Sequence, residues 1–121
     1  MRQHALNTQL LFKNAPTIHA LTTQRTGGVS QAPFDSFNLS TAVGDQPDHV
    51  KSNHARLIEH YAMPNTPLWL NQTHSTHVVH SAHYDPHAPL DGIWTDQTNT
   101  VLTILTADCL PILLYQPRTQ S

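Results

Sequence analysis

Only one stretch of this chain repeats apolar side chains with the period of an α-helix. The side chains that share one helical face are Val50, His54, Leu57, Ile58 and Tyr61, at positions i, i+4, i+7, i+8 and i+11. Asp45 or Gln46 can cap this helix, and Pro47 suits its first turn because the missing N–H has no helical partner there. Pro64 ends the predicted helix. His54, on the apolar face, is interpreted as a packed and hydrogen-bonded core histidine rather than a ligand.

The other apolar segments are short and rich in β-branched residues, which favours strands. The predicted strands cover residues 10–12, 18–24, 68–71, 78–82, 93–95, 101–106 and 112–115. One helix among several strands predicts an α+β fold with a mixed β-sheet. Residues 27–44 have no clear secondary structure, and a long ordered loop inside a compact domain more often carries function than not.

Length and composition exclude several classes of protein. A chain of 121 residues is one domain at most, or a piece of one. Its net charge of -2 gives no electrostatic surface for nucleic acid or an anionic membrane. One cysteine cannot build a disulfide framework, and the longest apolar run, residues 110–115, is too short to span a bilayer. We therefore expect a soluble cytoplasmic protein with no nucleic-acid or membrane partner.

Histidine is unusually frequent, with 10 residues against 6 Lys and Arg together. His74, His77, His80 and His83 recur every three residues. On a strand this spacing alternates faces, so neighbours in the series cannot point into one site. Most of these side chains are therefore interpreted as solvent-facing.

Two other features carry possible chemistry. Cys109, flanked by Thr106 and Asp108, is equally consistent with an inert core thiol and with a nucleophile or soft metal ligand. Arg25 with Gly27 and Gly28 resembles an anion-binding turn, although an ordinary turn explains the same residues and the spacing is not that of a P-loop. Residues 38–40 and 91–92 are equally compatible with ordinary turns.

Taken together, six segments resemble one known family. They are TQRTGGVS at 23–30, FNLS at 37–40, VGD at 43–45, LNQTHS at 70–75, DG at 91–92 and TADCLP at 106–111. Their order and spacing are similar to those of the YfiH family. It is also called the laccase-domain or multicopper polyphenol oxidase family and is described as purine nucleoside phosphorylases.

The resemblance implies a layered α/β sandwich, shared with the catalytic domain of certain bacterial deamidase toxins, and a zinc site of two histidines and one cysteine. Zinc, with copper less favoured, would be bound by His74 and Cys109, which are also the implied catalytic residues. Gln72 and Asp108 would orient these ligands. The family's third ligand belongs to a His-Ala-Gly-Trp-Arg-Gly motif that this sequence lacks. Residues 1–121 therefore resemble a single partial domain, the N-terminal half of a YfiH-like protein and incomplete C-terminally.

The implied activity is phosphorolysis of adenosine, inosine, guanosine and methylthioadenosine, together with adenosine deamination. Purine nucleoside and phosphate are the expected small-molecule partners. We expect Arg25, Gly27 and Gly28 to bind phosphate and Asn38 to contact the nucleoside. The missing C-terminal half, or a second copy in a homodimer, is the expected protein partner, so this chain alone should have little or no activity.

Three alternatives stay open from the sequence. A copper-dependent phenol oxidase ranks low because one cysteine and no His-x-His pair make a multicopper cluster hard to assemble. A hydrolase using Cys109 and a histidine would act in peptidoglycan editing. A non-enzymatic interpretation is an inactive fragment or a binding module that exchanges sheet edges with a partner.

Overall fold

A computed structural model of the chain describes residues 18–116. Within that range the chain forms two compact units, one made of residues 18–60 with 114–116 and the other of Tyr61–Leu113. Its elements, in chain order, are helix α1 (Pro47–His60), strand β1 (Val78–His80), a short 3₁₀ helix (Ser81–His83) and strand β2 (Gly92–Trp94). The predicted α+β class is confirmed.

Helix α1 begins where the sequence predicted it. The carbonyl of Gln46 accepts hydrogen bonds from the backbone N–H groups of His49 and Val50, at 3.0 and 3.2 Å. The helix ends at His60, before Pro64, and two residues later Ala62 has the left-handed φ of 48° at which helices commonly stop.

The apolar face of α1 packs inward as expected. Val50 and Leu57 are buried with Phe37, and these three side chains are the buried hydrophobic residues described in this unit. His54 is half-buried, and its Nε2 lies 2.7 Å from the Leu39 carbonyl oxygen. The prediction of a packed, hydrogen-bonded histidine is therefore confirmed.

Asn53 lies on the same buried face and holds the loop of residues 27–40 against the helix. Its side chain is fully buried, with 0% exposure. Its Oδ1 accepts from the Val29 N–H at 2.9 Å, and its Nδ2 donates to Ser30 Oγ at 2.9 Å and to the Asn38 carbonyl at 2.8 Å. One amide thus supplies partners for polar groups that are buried or half-buried where the loop meets the helix.

Gly28 lets this loop approach the helix closely. A Cβ atom built on Gly28 would overlap the Ser36 carbonyl oxygen, Asn53 Oδ1 and Phe37 Cα. The first two are atoms of the hydrogen-bonded network, so they cannot move aside without breaking it. Residues 27–40, although without regular structure, are therefore held by specific contacts.

Asp45 completes the network at the start of the helix. One of its oxygens accepts from Ser30 Oγ at 2.5 Å and from Asn38 Nδ2 at 3.1 Å, and the other accepts from the Gln46 N–H at 2.7 Å. The hydrogen bond from Ser30 is the largest of the effects that hold the pKa of the Asp45 carboxyl below its usual value.

Strands β1 and β2 pair in parallel, with Val78 opposite Gly92, Val79 opposite Ile93 and His80 opposite Trp94. Gly92 allows this pairing, because a Cβ atom there would lie 2.8 Å from a methyl carbon of Val78. Two isolated parallel bridges, between Leu68 and Leu102 and between Asn71 and Pro89, extend the pattern.

The strand predictions are correct only in part. Residues 78–82 and 93–95 correspond to β1 and β2, but Ser81–His83 forms a 3₁₀ helix that the His80 side chain caps by accepting from the Ala82 N–H. Residues 68–71 and 101–106 contribute isolated bridges rather than strands. The strands predicted at 18–24 and 112–115 are wrong, because β-branched composition alone does not supply a paired neighbour. The strand predicted at 10–12 lies outside the described residues.

Every strand pairing within residues 18–116 is parallel, so the mixed sheet stays a prediction. In the same part of the chain, no helix is long and apolar enough to cross a bilayer.

We expect Asn53→Ala to destabilise the chain by about 3 kcal/mol, since it removes three hydrogen bonds from buried or half-buried polar groups. Urea unfolding followed by circular dichroism measures this change. The matched control is Asn65→Ala, which removes one exposed hydrogen bond to the Asn99 carbonyl and should cost about 1 kcal/mol or less. Equal losses in the two variants would contradict the central role of Asn53.

We expect Asp45→Asn to reduce the acid sensitivity of folding. Because the pKa of Asp45 is lower in the folded state, its stabilising contribution is complete above the unfolded value of about 4 and is lost as the pH falls through the folded value. Urea midpoints measured from about pH 6 to pH 2 should therefore decline less steeply in Asp45→Asn than in the unmodified chain. Glu59→Gln, at an exposed helix position, is the control. An acid profile in Asp45→Asn as steep as in the control would count against this account.

Candidate functional site

The loop that carries His74 is wrapped around the carboxylate of Asp91. One carboxylate oxygen accepts from the backbone N–H groups of Thr73 and Ser75, at 3.1 and 2.7 Å, and from Ser75 Oγ at 2.6 Å. The other oxygen accepts from the His74 N–H at 3.0 Å. The hydrogen bond from the Ser75 hydroxyl is the first of several that hold the pKa of Asp91 well below its usual value.

His74 is exposed and has a φ of 61°, in the left-handed region that few residues other than glycine adopt. Its backbone is therefore held in a conformation that it would rarely adopt alone. The loop presents the imidazole at the surface of the Tyr61–Leu113 unit.

Gln72 fixes the other end of this loop. Its Nε2 donates to the Leu105 carbonyl at 2.8 Å, and its Oε1 accepts from the Leu105 N–H at 2.7 Å. The Gln72 amide thereby bonds both backbone polar groups of Leu105, as the backbone of a neighbouring strand would. This contact ties the His74 loop to the segment that leads to Cys109. The predicted role of Gln72 in orienting a ligand stays a prediction.

Cys109 is a free and exposed cysteine, and Asp108 beside it is exposed as well. The interpretation of Cys109 as an inert core thiol is therefore wrong. An exposed thiol is accessible to a metal ion or to an electrophile.

His74 and Cys109 belong to the same unit, but the described residues do not complete a metal centre around them. Across residues 18–116 there is no group of three or more His, Cys, Asp or Glu side chains able to hold one ion. Both ring nitrogens of His80, another histidine of this unit, already have partners, because Nε2 contacts Asp96 at 2.7 Å and Nδ1 accepts from the Ala82 N–H at 2.9 Å. An imidazole and a thiolate are donors that zinc prefers, but two ligands do not make a complete zinc site.

The residues predicted to bind phosphate lie in the unit of residues 18–60. Arg25 pairs with Asp35 at 3.6 Å, and both side chains are largely exposed. The backbone N–H groups of Gly27 and Gly28 donate to the Ser36 hydroxyl, at 3.1 and 3.3 Å. These donors therefore have a partner within the loop.

Asn38, predicted to contact the nucleoside, is part of the Asn53 network instead of projecting freely. Its Nδ2 donates to the Ser40 carbonyl at 3.2 Å and to Asp45, and its Oδ1 accepts from the Ser40 N–H at 3.1 Å. The side chain closes a local turn. Its predicted contact with substrate stays a prediction.

Asn53 and Asp91 organise these loops, although neither is among the site residues predicted from the sequence. Asn53 falls three residues after Val50 and four before Leu57, which places a polar side chain on the buried face of the helix. A polar residue at such a position indicates a buried hydrogen-bonding role. Residues 91–92 are equally compatible with an ordinary turn, and nothing in the local sequence indicates that the partners of Asp91 are residues 73–75.

Comparisons with known proteins place the chain in a family. The family described as multi-copper polyphenol oxidoreductase laccase matches residues 19–121. A purine nucleoside phosphorylase of Haemophilus influenzae is 46% identical over 101 residues, which cover 83% of this chain and 41% of that protein. The chain belongs to the YfiH, or laccase-domain, family. Purine nucleoside phosphorylase YfiH of Escherichia coli K12 is 40% identical over 98 residues, covering 79% of this chain and 40% of the relative.

Solved structures of YfiH-family proteins have the same local fold. The Bacillus licheniformis hypothetical protein YfiH superposes with a TM-score of 0.72 at 25% identity, over 88% of this chain and 44% of that one. Neisseria meningitidis NMB0706 has a TM-score of 0.65 at 39% identity, over 74% and 36%. This YfiH-family chain therefore spans well under half the length of the relatives that it matches.

We expect the thiol of Cys109 to react in the folded chain with a disulfide reagent such as Ellman's reagent. Because the side chain is exposed, the rate should lie within about threefold of the rate in denaturant. The rate is measured from the absorbance of the thiolate that the reagent releases, one per cysteine. Cys109→Ser, which leaves no cysteine in the chain, gives the blank. Protection by about a hundredfold or more in the folded state would contradict the exposed position.

Proposed function

We propose that this chain carries part of the active site of a purine nucleoside phosphorylase. The observation that supports this most strongly is its 46% identity to a relative of that name, over 83% of this chain. The chain retains the segments at 70–75 and 106–111 that carry the implied ligands His74 and Cys109. The names of the relatives do not favour the cysteine hydrolase alternative.

In this proposal zinc is the metal, and His74 and Cys109 are two of its ligands. Both side chains are exposed in one unit, and the Gln72–Leu105 contact links the segments that carry them. Imidazole nitrogen with thiolate sulfur suits zinc better than a multicopper cluster. In this proposal a further ligand comes from residues outside 18–116 or from a partner, because the described residues hold no group of three such side chains. Asp108, next to Cys109, is proposed to orient the thiolate.

Phosphate is proposed to bind at Arg25. The Arg25 side chain is 79% exposed, and exposed ion pairs such as its contact with Asp35 contribute little to stability. An incoming phosphate can therefore take the place of Asp35, with two guanidinium N–H groups donating to it. Gly27, Gly28 and Asn38 would then shape the loop that carries Arg25. Their own polar groups are already paired with Ser36, Ser40 and Asp45.

The proposed reaction is phosphorolysis of a purine nucleoside. A phosphate oxygen bonds to ribose C1′ while the bond from C1′ to the base nitrogen breaks, which yields the free purine and ribose 1-phosphate. Adenosine, inosine, guanosine and methylthioadenosine as substrates, adenosine deamination and a cytoplasmic location are parts of the same proposal. So are the layered α/β sandwich of a complete domain and assembly with a C-terminal half or a second copy.

We expect the purified chain to bind Co²⁺, used as a spectroscopic probe for zinc, through His74 and Cys109. Titration should give thiolate-to-cobalt charge-transfer absorption that disappears in Cys109→Ser, and His74→Ala should weaken binding by about tenfold or more. His87→Ala, at an exposed histidine of the same unit, is the matched control and should leave the titration unchanged. Cobalt binding that neither Cys109→Ser nor His74→Ala changes would refute the proposed metal site.

Turnover tests the remainder of the proposal. With adenosine and phosphate, chromatography should detect little adenine or inosine formed by the 121-residue chain alone. Addition of a YfiH C-terminal half should raise adenine formation in a phosphate-dependent manner. Robust turnover by the chain alone, abolished by Cys109→Ala, would show that the site is complete without another segment.

A further inference from the structure

We propose that Asp91 is a positioning residue, whose carboxylate sets the direction in which His74 presents its imidazole. The inference rests on the proposed function, because it concerns the geometry of a proposed ligand. Asp91 does not touch the metal or the substrate in this account. It acts through the backbone of residues 73–75.

The first support is the direction of three consecutive N–H groups. Those of Thr73, His74 and Ser75 all point at one carboxylate, within 3.1 Å. Successive N–H groups curled around an anion form a concave site of the kind that usually binds an external anion. Here the chain supplies the anion from Asp91. The carboxylate therefore determines the curvature of the loop on which His74 sits.

The second support is the conformation of His74. A φ of 61° is unfavourable for a residue with a Cβ atom, so the loop would relax if its hydrogen bonds were lost. The direction of the imidazole would change with that relaxation. The strained residue is also the proposed ligand, which is the pattern expected where geometry matters for binding.

The third support is the rigid placement of Asp91 itself. Its N–H donates to the His77 carbonyl at 3.0 Å, and the N–H of the buried Leu90 donates to the Asn71 carbonyl at 3.0 Å. Gly92, immediately after it, begins β2 and lies against Val78. Asp91 therefore lies directly before a paired strand, whereas residues 73–75 form no strand. The strands position the loop through Asp91.

Amide hydrogen exchange tests the claim without relying on activity. In Asp91→Asn, which keeps the size of the side chain but removes its charge, exchange at residues 73–75 should accelerate by about tenfold or more. Asp96→Asn, which alters a carboxylate just beyond β2 that contacts His80 instead, should leave these amides unchanged. Ser75→Ala, which removes only the hydroxyl donor, should give a smaller acceleration. Unchanged exchange at 73–75 in both Asp91→Asn and Ser75→Ala overturns the proposal.

Cobalt affinity provides the second readout, under conditions where circular dichroism shows every variant folded. Asp91→Asn should weaken His74-dependent cobalt binding by about tenfold, whereas Asp96→Asn should not. Full affinity in Asp91→Asn, when the unmodified chain binds through His74, refutes the positioning role. If His74→Ala binds cobalt as tightly as the unmodified chain does, the proposed function is refuted instead. Amide exchange then decides whether Asp91 fixes the conformation of residues 73–75.

Discussion

Because the strands of this chain are short, the backbone N–H and C=O groups of its loops have to find partners among side chains. Where such groups are buried, leaving them without partners is costly, and at the surface a side-chain partner holds the loop in one conformation. Asn53 supplies those partners for the loop of residues 27–40, and Asp91 supplies them for residues 73–75. Gln72 does the same for Leu105. The loops that carry the proposed site residues are therefore ordered by single polar side chains.

Elements that depend on local periodicity are predictable from the sequence, whereas elements that depend on a distant partner are not. Helix α1 was predictable because its apolar period, the turn before it and Pro47 all agree. The segments 18–24 and 112–115 have strand-like composition but form no strand, since strand formation depends on a neighbour that composition does not reveal. Asp91 illustrates the same limit, because its partners lie 16 to 18 positions away in the chain.

The candidate site residues could be predicted from the sequence mainly because six short motifs occur in the order typical of one family. His74 and Cys109 stood out only because their motifs match a family, and the structure adds that both are exposed in one unit. Exposure also marks the segment after Cys109, where Leu110 is 84% and Leu114 91% exposed. Apolar side chains so exposed are typical of surfaces that another segment covers. This agrees with a chain that spans 41% of its Haemophilus relative.

His74 and Cys109 are proposed to bind one metal ion together. X-ray absorption at the zinc edge of the zinc-loaded chain tests it most directly, because sulfur and nitrogen ligands give distinct distances. We expect one sulfur at about 2.3 Å and imidazole nitrogen at about 2.0–2.1 Å, with the sulfur lost in Cys109→Ser and an imidazole contribution lost in His74→Ala. A shell of oxygen and nitrogen without sulfur, unchanged by either substitution, would contradict it.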